Sequence, residues 1–147
     1  MELCGEIQIS PTANRPLSGF DNYTHDSSSI IPHTTFSVKS VPTMKHDPVK
    51  FMYTTGAITV PQYLQQKAGQ KAEFHHSIGA LLVEVDDEGD WFVYQLKAGD
   101  DGTIYNFKFC IKNGHVSGFD GIDTIVWGDI HVDGLEDDMR DFCFGKK

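Results

Sequence analysis

The chain lacks the cysteine patterns that hold many small domains together. Its 147 residues include three cysteines, Cys4, Cys110 and Cys143, and no Cys-x-x-Cys pair. An odd number of widely spaced cysteines argues against a disulfide scaffold or a zinc finger and fits a reducing compartment. The apolar runs are too short to cross a bilayer, and the acidic N-terminus does not resemble a signal peptide. We therefore expect a soluble, cytoplasmic protein that does not contact a membrane.

Positive charge and the common hydrolase motifs are also scarce. Lys and Arg number 12 against 21 Asp and Glu, which gives a formal net charge of -9. This balance disfavours nucleic-acid binding by phosphate neutralisation alone, although a bound metal ion would reverse the sign locally. There is no Gly-x-Ser-x-Gly, no glycine-rich phosphate loop and no His-Glu-x-x-His. The sequence thus lacks the signatures of a serine hydrolase, a P-loop enzyme or a zincin.

Alternating apolar and polar residues predict two antiparallel hairpins in the second half of the chain. The first joins residues 78–85 to 91–96 through the acidic turn 86–90. The second joins a single strand, 104–111, to a strand from His115 through an Asn-Gly turn, which tolerates positive φ at both positions. We expect these hairpins to be the stable part of the chain, with large apolar side chains buried at Leu82, Trp91, Val93, Ile104 and Phe109.

The first half shows weaker patterns. A strand is predicted over residues 1–9, and residues 10–46 have the composition of a long irregular connection. Within that connection, alternation predicts a short strand over 36–41. After it, a β-branched and aromatic run interrupted by Gly56 predicts a strand over 51–60, which Pro61 ends or places at a sheet edge. Residues 62–70 are polar and predict an exposed loop or a single helical turn.

The C-terminal part changes from strand to helix periodicity. Residues 122–127 predict a strand, and residues 133–144 predict a helix with Asp133 as N-cap and an apolar stripe of Leu135, Met139 and Phe142. The fold class is therefore α+β, with mainly antiparallel β hairpins followed by a strand–loop–helix unit. We divide the chain into a β-rich region, 1–121, and the start of a βα unit, 122–147, whose parallel partner strand is not in the chain.

A possible metal site lies between that strand and that helix. Asp129 and His131 stand two residues apart in Trp127-Gly128-Asp129-Ile130-His131, and Gly128 permits a tight turn. Asp supplies an oxygen ligand and His a nitrogen ligand, a mixture that suits Zn, Mn or Fe better than Ca. The alternative is that Asp129 caps the following helix and His131 is a surface residue.

His75 and His76 are a secondary candidate. They precede an apolar run, so we expect them at the start of a strand, where adjacent side chains point to opposite faces. One histidine packed and hydrogen-bonded in the core is one interpretation, and binding of a phosphate or substrate is the other.

Several motifs together resemble one family. They are Pro11-Thr12-Ala13, Pro16-Leu17-Ser18-Gly19, Tyr53-Thr54-Thr55-Gly56-Ala57-Ile58-Thr59, Lys67-Ala68-Gly69 with Lys71-Ala72-Glu73-Phe74-His75-His76, and Trp127-Gly128-Asp129-Ile130-His131-Val132. In this order they are similar to tailed-phage proteins described as metallophosphoesterase-like, of the calcineurin-like phosphoesterase type. The chain would match a central portion of those longer proteins. The resemblance implies that Asp129 and His131 belong to the Gly-Asp-x-His metal motif, with His131 also catalytic.

Two functions follow as expectations. The first is a fragment of a phage metal-dependent phosphoesterase that hydrolyses a phosphate ester, nucleotide or nucleic acid in the infected host cell. The later Gly-Asp-x-x-Asp and Gly-Asn-His motifs of such enzymes are absent from this chain, so we expect it to hold an incomplete metal site and to be inactive in isolation. The alternative is a non-catalytic phage protein that binds a host or phage protein through its β-sheet.

Overall fold

The computed structural model describes residues 1–106, 109–118, Val126, Gly128, Gly134 and 136–144. In that part of the chain, strands outnumber helices, and the fold is α+β, as the sequence predicts. The elements in chain order are β1 (Glu2–Leu3), β2 (Ser29–Ile31), β3 (Val38–Val41), β4 (Lys50–Thr54), α1 (Lys67–His75), β5 (Gly79–Val85), β6 (Trp91–Lys97), β7 (Ile104–Asn106), β8 (Phe109–Lys112), β9 (His115–Gly118) and α2 (Asp137–Phe144).

The strands form three sheets. Strands β1 to β4 make a four-stranded sheet in the order β1-β2-β4-β3, β5 pairs with β6, and β7, β8 and β9 make the third sheet. Most pairings are antiparallel, which confirms the predicted fold class. The exceptions are β1 with β2 and β2 with β4, which are parallel and were not predicted.

The principal buried core lies in the first half of the chain and not in the hairpins. Cys4, Leu17, Ile31 and Met52 form this core, on one face of the four-stranded sheet. By contrast, Leu82 and Phe109 keep 42% and 47% of their surface exposed. The expectation that the hairpins bury these side chains is therefore wrong. A two-stranded hairpin such as β5–β6 has too little surface to enclose Leu82.

The long connection predicted for residues 10–46 contains ordered structure. Strand β2 lies within it and is buried at all three positions. Its apolar run of two isoleucines is too short to stand out in the sequence. Lys50, itself buried, holds the connection in place by donating hydrogen bonds from Nζ to the Asp21 carbonyl oxygen at 2.6 Å and to the His25 carbonyl oxygen. These carbonyls replace the water that a buried ammonium loses.

The first predicted hairpin is confirmed. Strands β5 and β6 pair in antiparallel register from Gly79 opposite Lys97 to Val85 opposite Trp91. The carboxylate of Asp86 accepts hydrogen bonds from the backbone N–H groups of Glu88 and Asp90, each at 2.9 Å, which closes the turn.

The second predicted hairpin is confirmed only in part. The Asn113-Gly114 turn joins β8 to β9, with φ of 52° and 76° at its two residues. The single strand predicted over 104–111 is wrong, because Ile104–Asn106 and Phe109–Lys112 are separate strands that pair antiparallel with each other. Alternation alone does not distinguish one long strand from two short strands that pair with each other.

The helices and strand ends also differ from the predictions. Helix α1 begins at Lys67, inside the residues 62–70 where a loop or single turn was expected, and runs for nine residues to His75. The two strands predicted over 1–9 and 51–60 are shorter in the structure, at Glu2–Leu3 and Lys50–Thr54. Helix α2 confirms the predicted C-terminal helix over its described part, with Met139 about half exposed. Its predicted cap, Asp133, and all of the predicted strand 122–127 except Val126 lie outside the described residues.

Candidate functional site

The two metal ligands suggested by the sequence, Asp129 and His131, lie outside the described residues. Among the residues that the structure describes, no three His, Cys, Asp or Glu side chains are grouped closely enough to hold a metal ion. The described residues therefore contain no metal site of their own beside the Asp129–His131 motif.

His75 and His76 lie at the end of a helix and not at the start of a strand. His75 is the last residue of α1 and is exposed, with its ring 5.1 Å from the ring of Phe74. The strand expected here is wrong because the sequence from Lys67 contains good helix formers, including Ala68, Ala72 and Glu73. The two side chains therefore do not form a strand-end pair.

Both ring nitrogens of His76 have protein partners. Nε2 lies 2.9 Å from the carbonyl oxygen of Thr59, and Nδ1 lies 2.8 Å from the hydroxyl of Tyr63. A carbonyl can only accept, so Nε2 donates to Thr59, and the Tyr63 hydroxyl is the hydrogen-bond partner of Nδ1. A metal ion would have to break one of these hydrogen bonds, so the arrangement fits a role in fixing the segment before α1 better than a role as ligand.

His33 is a buried histidine that the sequence did not single out. Its Nδ1 accepts the backbone N–H of Thr35 at 3.1 Å, and its Nε2 lies 3.2 Å from the carbonyl oxygen of Ser10. Both ring nitrogens of His33 thus bond to backbone groups, and this links residues 10 and 35. The surrounding Pro32-His33-Thr34-Thr35 suggests only a turn, so no sequence signal marks the burial of His33.

The most extensive candidate surface is the second face of the four-stranded sheet. On β4, Met52 points to the core, so Phe51 and Tyr53 point to the opposite side. The strand registers place Leu3, Ile30 and Val38 on that same side. We call these five residues the open face, because the rest of the described chain covers it only in part.

The β5–β6 hairpin lies against the open face. The ring of Trp91 meets the ring of Tyr53 edge to face, with centroids 6.4 Å apart. At the start of β5 the backbone packs tightly on Phe36, since a Cβ added at Gly79 would lie 2.8 Å from that ring. Gly56, with φ of +70°, approaches the same ring. These contacts fix the position of the hairpin over the sheet.

Two apolar grooves remain where the hairpin and the open face meet. The aliphatic groove has a volume of about 500 Å³ and lies between Leu3, Ile30, residues 55–59, residues 79–81 and Val83. The aromatic groove has a volume of about 530 Å³ and is lined by Pro48, Val49, Phe51, Tyr53 and residues 90–94. Both volumes are within the usual range of binding pockets.

Exposed apolar side chains extend this surface. Ile58, in the aliphatic groove, is 87% exposed, and Val60, Leu64 and Phe74 nearby along the chain are also largely exposed. Isolated exposed apolar residues are ordinary, but exposed residues next to apolar grooves are typical of interaction sites. Sequence reasoning missed this surface because its residues come from many separate segments of the chain.

Two ionisable side chains, Tyr53 in the aromatic groove and Asp101 outside both grooves, have pKa values shifted by the fold. Burial raises the pKa of Tyr53, so its hydroxyl stays protonated at neutral pH. Further along, hydrogen bonds from the backbone N–H of Thr103, the side chain of Lys112 and the hydroxyl of Thr103 lower the pKa of Asp101 to about 2. Asp101 thereby connects the turn after β6 to β8, and it has no direct role in either groove.

Comparison with known proteins shows what the chain is similar to. The chain is similar to a bacteriophage protein. This relative, Protein A1 of Escherichia phage T5, is 39% identical over 151 residues covering 95% of this chain. The chain spans about a quarter of the relative's length, at 26%. No family model matches the chain. No solved structure matches it either.

These comparisons support the phage part of the resemblance and do not test the phosphoesterase part. The T5 protein's name carries no statement of activity. In the part of the chain that the structure describes, no helix is long and apolar enough to cross a membrane.

Proposed function

We propose that this chain is a segment of a phage metal-dependent phosphoesterase that works in the cytoplasm of the infected host. In this proposal Asp129 and His131 are the first ligands of a divalent Mn, Zn or Fe site. The observation that carries it is the sequence Trp127-Gly128-Asp129-Ile130-His131 directly after residues 122–126, which are mostly β-branched. The similarity to a phage protein about four times as long supports it, since a longer chain would have room for the remaining ligands.

Two ligands are too few to hold the two metal ions that phosphoester hydrolysis by such an enzyme needs. Hydrolysis by a two-metal site needs ions about 3.5–4 Å apart, held by several side chains, to activate water and clamp the phosphoryl oxygens. We therefore expect the 147-residue chain to bind metal weakly and to hydrolyse nothing at a useful rate. The substrate is a phosphate ester, a nucleotide or a nucleic acid. For any of these, the metal must offset the chain's negative charge.

Calorimetric titration with Mn²⁺ tests the ligand assignment. The chain should bind one equivalent, and Asp129→Asn should abolish that binding, because the amide loses the charge that holds the cation. Asp87→Asn is the matched control, since it removes one carboxylate from the exposed turn before β6. Equal heats in the Asp129→Asn and Asp87→Asn proteins would show that Asp129 is not a ligand.

A second candidate function is supported by the open face and its grooves. Here the chain is a non-catalytic phage protein that binds a host or phage protein through its β-sheet. The apolar surface of the two grooves and the exposed Ile58 support this candidate. It predicts no stoichiometric Mn²⁺ binding, so the titration separates the two functions.

Site-specific photo-crosslinking tests the second candidate directly. A benzoylphenylalanine placed at Ile58 or Phe92, one beside each groove, should give a discrete protein adduct in infected cells. The same group at Met44, which is exposed and outside both grooves, should give none. Adducts of equal yield at all three positions would indicate random collision and would reject the candidate.

A further inference from the structure

We infer that the aromatic groove is a docking site for an extended, basic segment of a partner protein, which adds a strand to the outer edge of β6. This inference rests on the protein-binding candidate above and specifies the mode of binding and the chemistry of the partner.

The backbone of β6 presents hydrogen-bonding groups to the groove. The Asp86 N–H bonds to the Asp90 carbonyl, and the Ala98 N–H bonds to the Ile78 carbonyl, each at 2.9 Å. In an antiparallel ladder, hydrogen-bonded pairs alternate with pairs whose N–H and C=O groups point outward, and the two end bonds show which pairs are hydrogen-bonded. Trp91 and Val93 therefore belong to the pairs whose N–H and C=O groups point away from β5.

That edge is open along the groove. Within the described residues, β6 has a ladder only with β5, and on its outer side it has only the bridge between Ala98 and Ile104 beyond its C-terminal end. Residues 91–94, which line the groove, lie at the other end of the strand. An exposed strand edge of this kind can pair with an extended peptide, and the main-chain hydrogen bonds then supply affinity.

The walls of the groove suit alternate side chains of such a peptide. Phe51 and Tyr53 form one wall from the open face, and Pro48 and Val49 border it. Successive side chains of an extended strand point to opposite sides, so every second side chain would enter the apolar space. Large aromatic surfaces of this kind dominate the energy of many interfaces.

The charges around the groove favour a basic partner. Asp90 is the charged residue of the lining, and Asp87 and Glu88 lie beside it in the turn. Across the described residues, no Lys, Arg or His forms an ion pair with these three carboxylates. The net charge of -9 adds to the negative potential and opposes both a second copy of this chain and a nucleic-acid strand.

The probe is a fluorescein-labelled ten-residue peptide of alternating valine and lysine, with binding followed by anisotropy. A valine–glutamate peptide of the same length should bind at least about tenfold more weakly, because like charges repel. Val93→Pro removes an outward N–H and should abolish binding. The matched control is Val85→Pro, which lies opposite Trp91 in the ladder and outside both grooves. It removes an outward N–H on the far edge of the hairpin and should leave binding unchanged.

A charge change provides a second test in case a proline prevents folding, which circular dichroism would show. The double variant Glu88→Lys, Asp90→Lys should weaken binding of the lysine peptide by about tenfold or more. The control Asp26→Lys, Glu136→Lys changes the net charge equally at exposed positions away from the groove. Equal losses in the two double variants would overturn the inference.

Three other outcomes would also overturn it. They are equal losses in Val85→Pro and Val93→Pro, self-association of the chain through this edge in sedimentation, and binding of a thymidine oligonucleotide that depends on Val93. If the peptide fails to bind while crosslinks at Phe92 persist, the strand-addition mode fails and the protein-binding candidate stands. If crosslinks are also absent, the candidate fails with it.

Discussion

Truncation of Met52 to alanine should be among the most destabilising single changes in the described chain. Met52 is 0% exposed and packs in the core with Cys4, Leu17 and Ile31. Burying such a side chain contributes about 1.5–3 kcal/mol by transfer from water. Its removal also leaves a cavity, because the four-stranded sheet and the connection that covers it are held by other contacts. We expect a total loss of about 2–5 kcal/mol in the free energy of unfolding.

Urea denaturation followed by circular dichroism at 220 nm measures this loss. With a slope of about 2 kcal/mol per molar urea, the transition midpoint should fall by about 1–2.5 M. Met44→Ala is the matched control, since Met44 is 80% exposed and the same truncation there should change stability by less than about 0.5 kcal/mol. A loss below about 1 kcal/mol for Met52→Ala, or equal losses in the two variants, would refute the location of the core.

Three further predictions follow from the same structure. Amide hydrogens of β2 and β4 should exchange more slowly than those of β5 and β6, and faster exchange in β2 and β4 would place the stable core in the hairpin. Because the pKa of Asp101 is lowered to about 2 from 3.8, its contribution to stability is complete above about pH 4 and is lost as the pH falls toward 2. The stability difference between the parent protein and Asp101→Asn should shrink over that interval, and a constant difference from pH 5 to pH 2 would contradict the assignment. Met139→Glu, at a half-exposed position of α2, should lower the free energy of unfolding by less than about 1 kcal/mol, and a loss above about 2 kcal/mol would show that α2 packs in a core.

The predicted hairpins show how much local sequence can determine. The turn 86–90 and the Asn113-Gly114 turn were placed correctly because their geometry depends on adjacent residues. Asp86 bonds to two N–H groups within four residues, and Asn and Gly adopt the positive φ values that the reversal needs. No distant contact is required for either turn.

The four-stranded sheet shows what local sequence could not determine. Strand β2 has three residues, and its neighbours β1 and β4 lie about twenty or more positions away along the chain. Parallel pairing at that distance leaves no periodic signal in so short a run. The buried Lys50 is equally unexpected, because its ammonium is satisfied by carbonyl groups from residues 21 and 25, which only the folded chain brings near it.

The candidate site residues also differ in whether the local sequence or the folded chain identifies their role. The Gly-Asp-x-His motif is local, so the sequence alone identified Asp129 and His131, and their role stays a prediction because they lie outside the described residues. For His76, the sequence shows only the residue type, and the folded chain decided that Tyr63 and Thr59 occupy its two nitrogens.

By itself, the sequence determined the α+β class, the first hairpin, the two turns and the position of the Gly-Asp-x-His motif, since each depends on residues close together along the chain. Only the tertiary structure decided where the core and the open face lie. Burial depends on which strands pair and on what covers each face of a sheet, and those contacts join residues that the sequence keeps far apart.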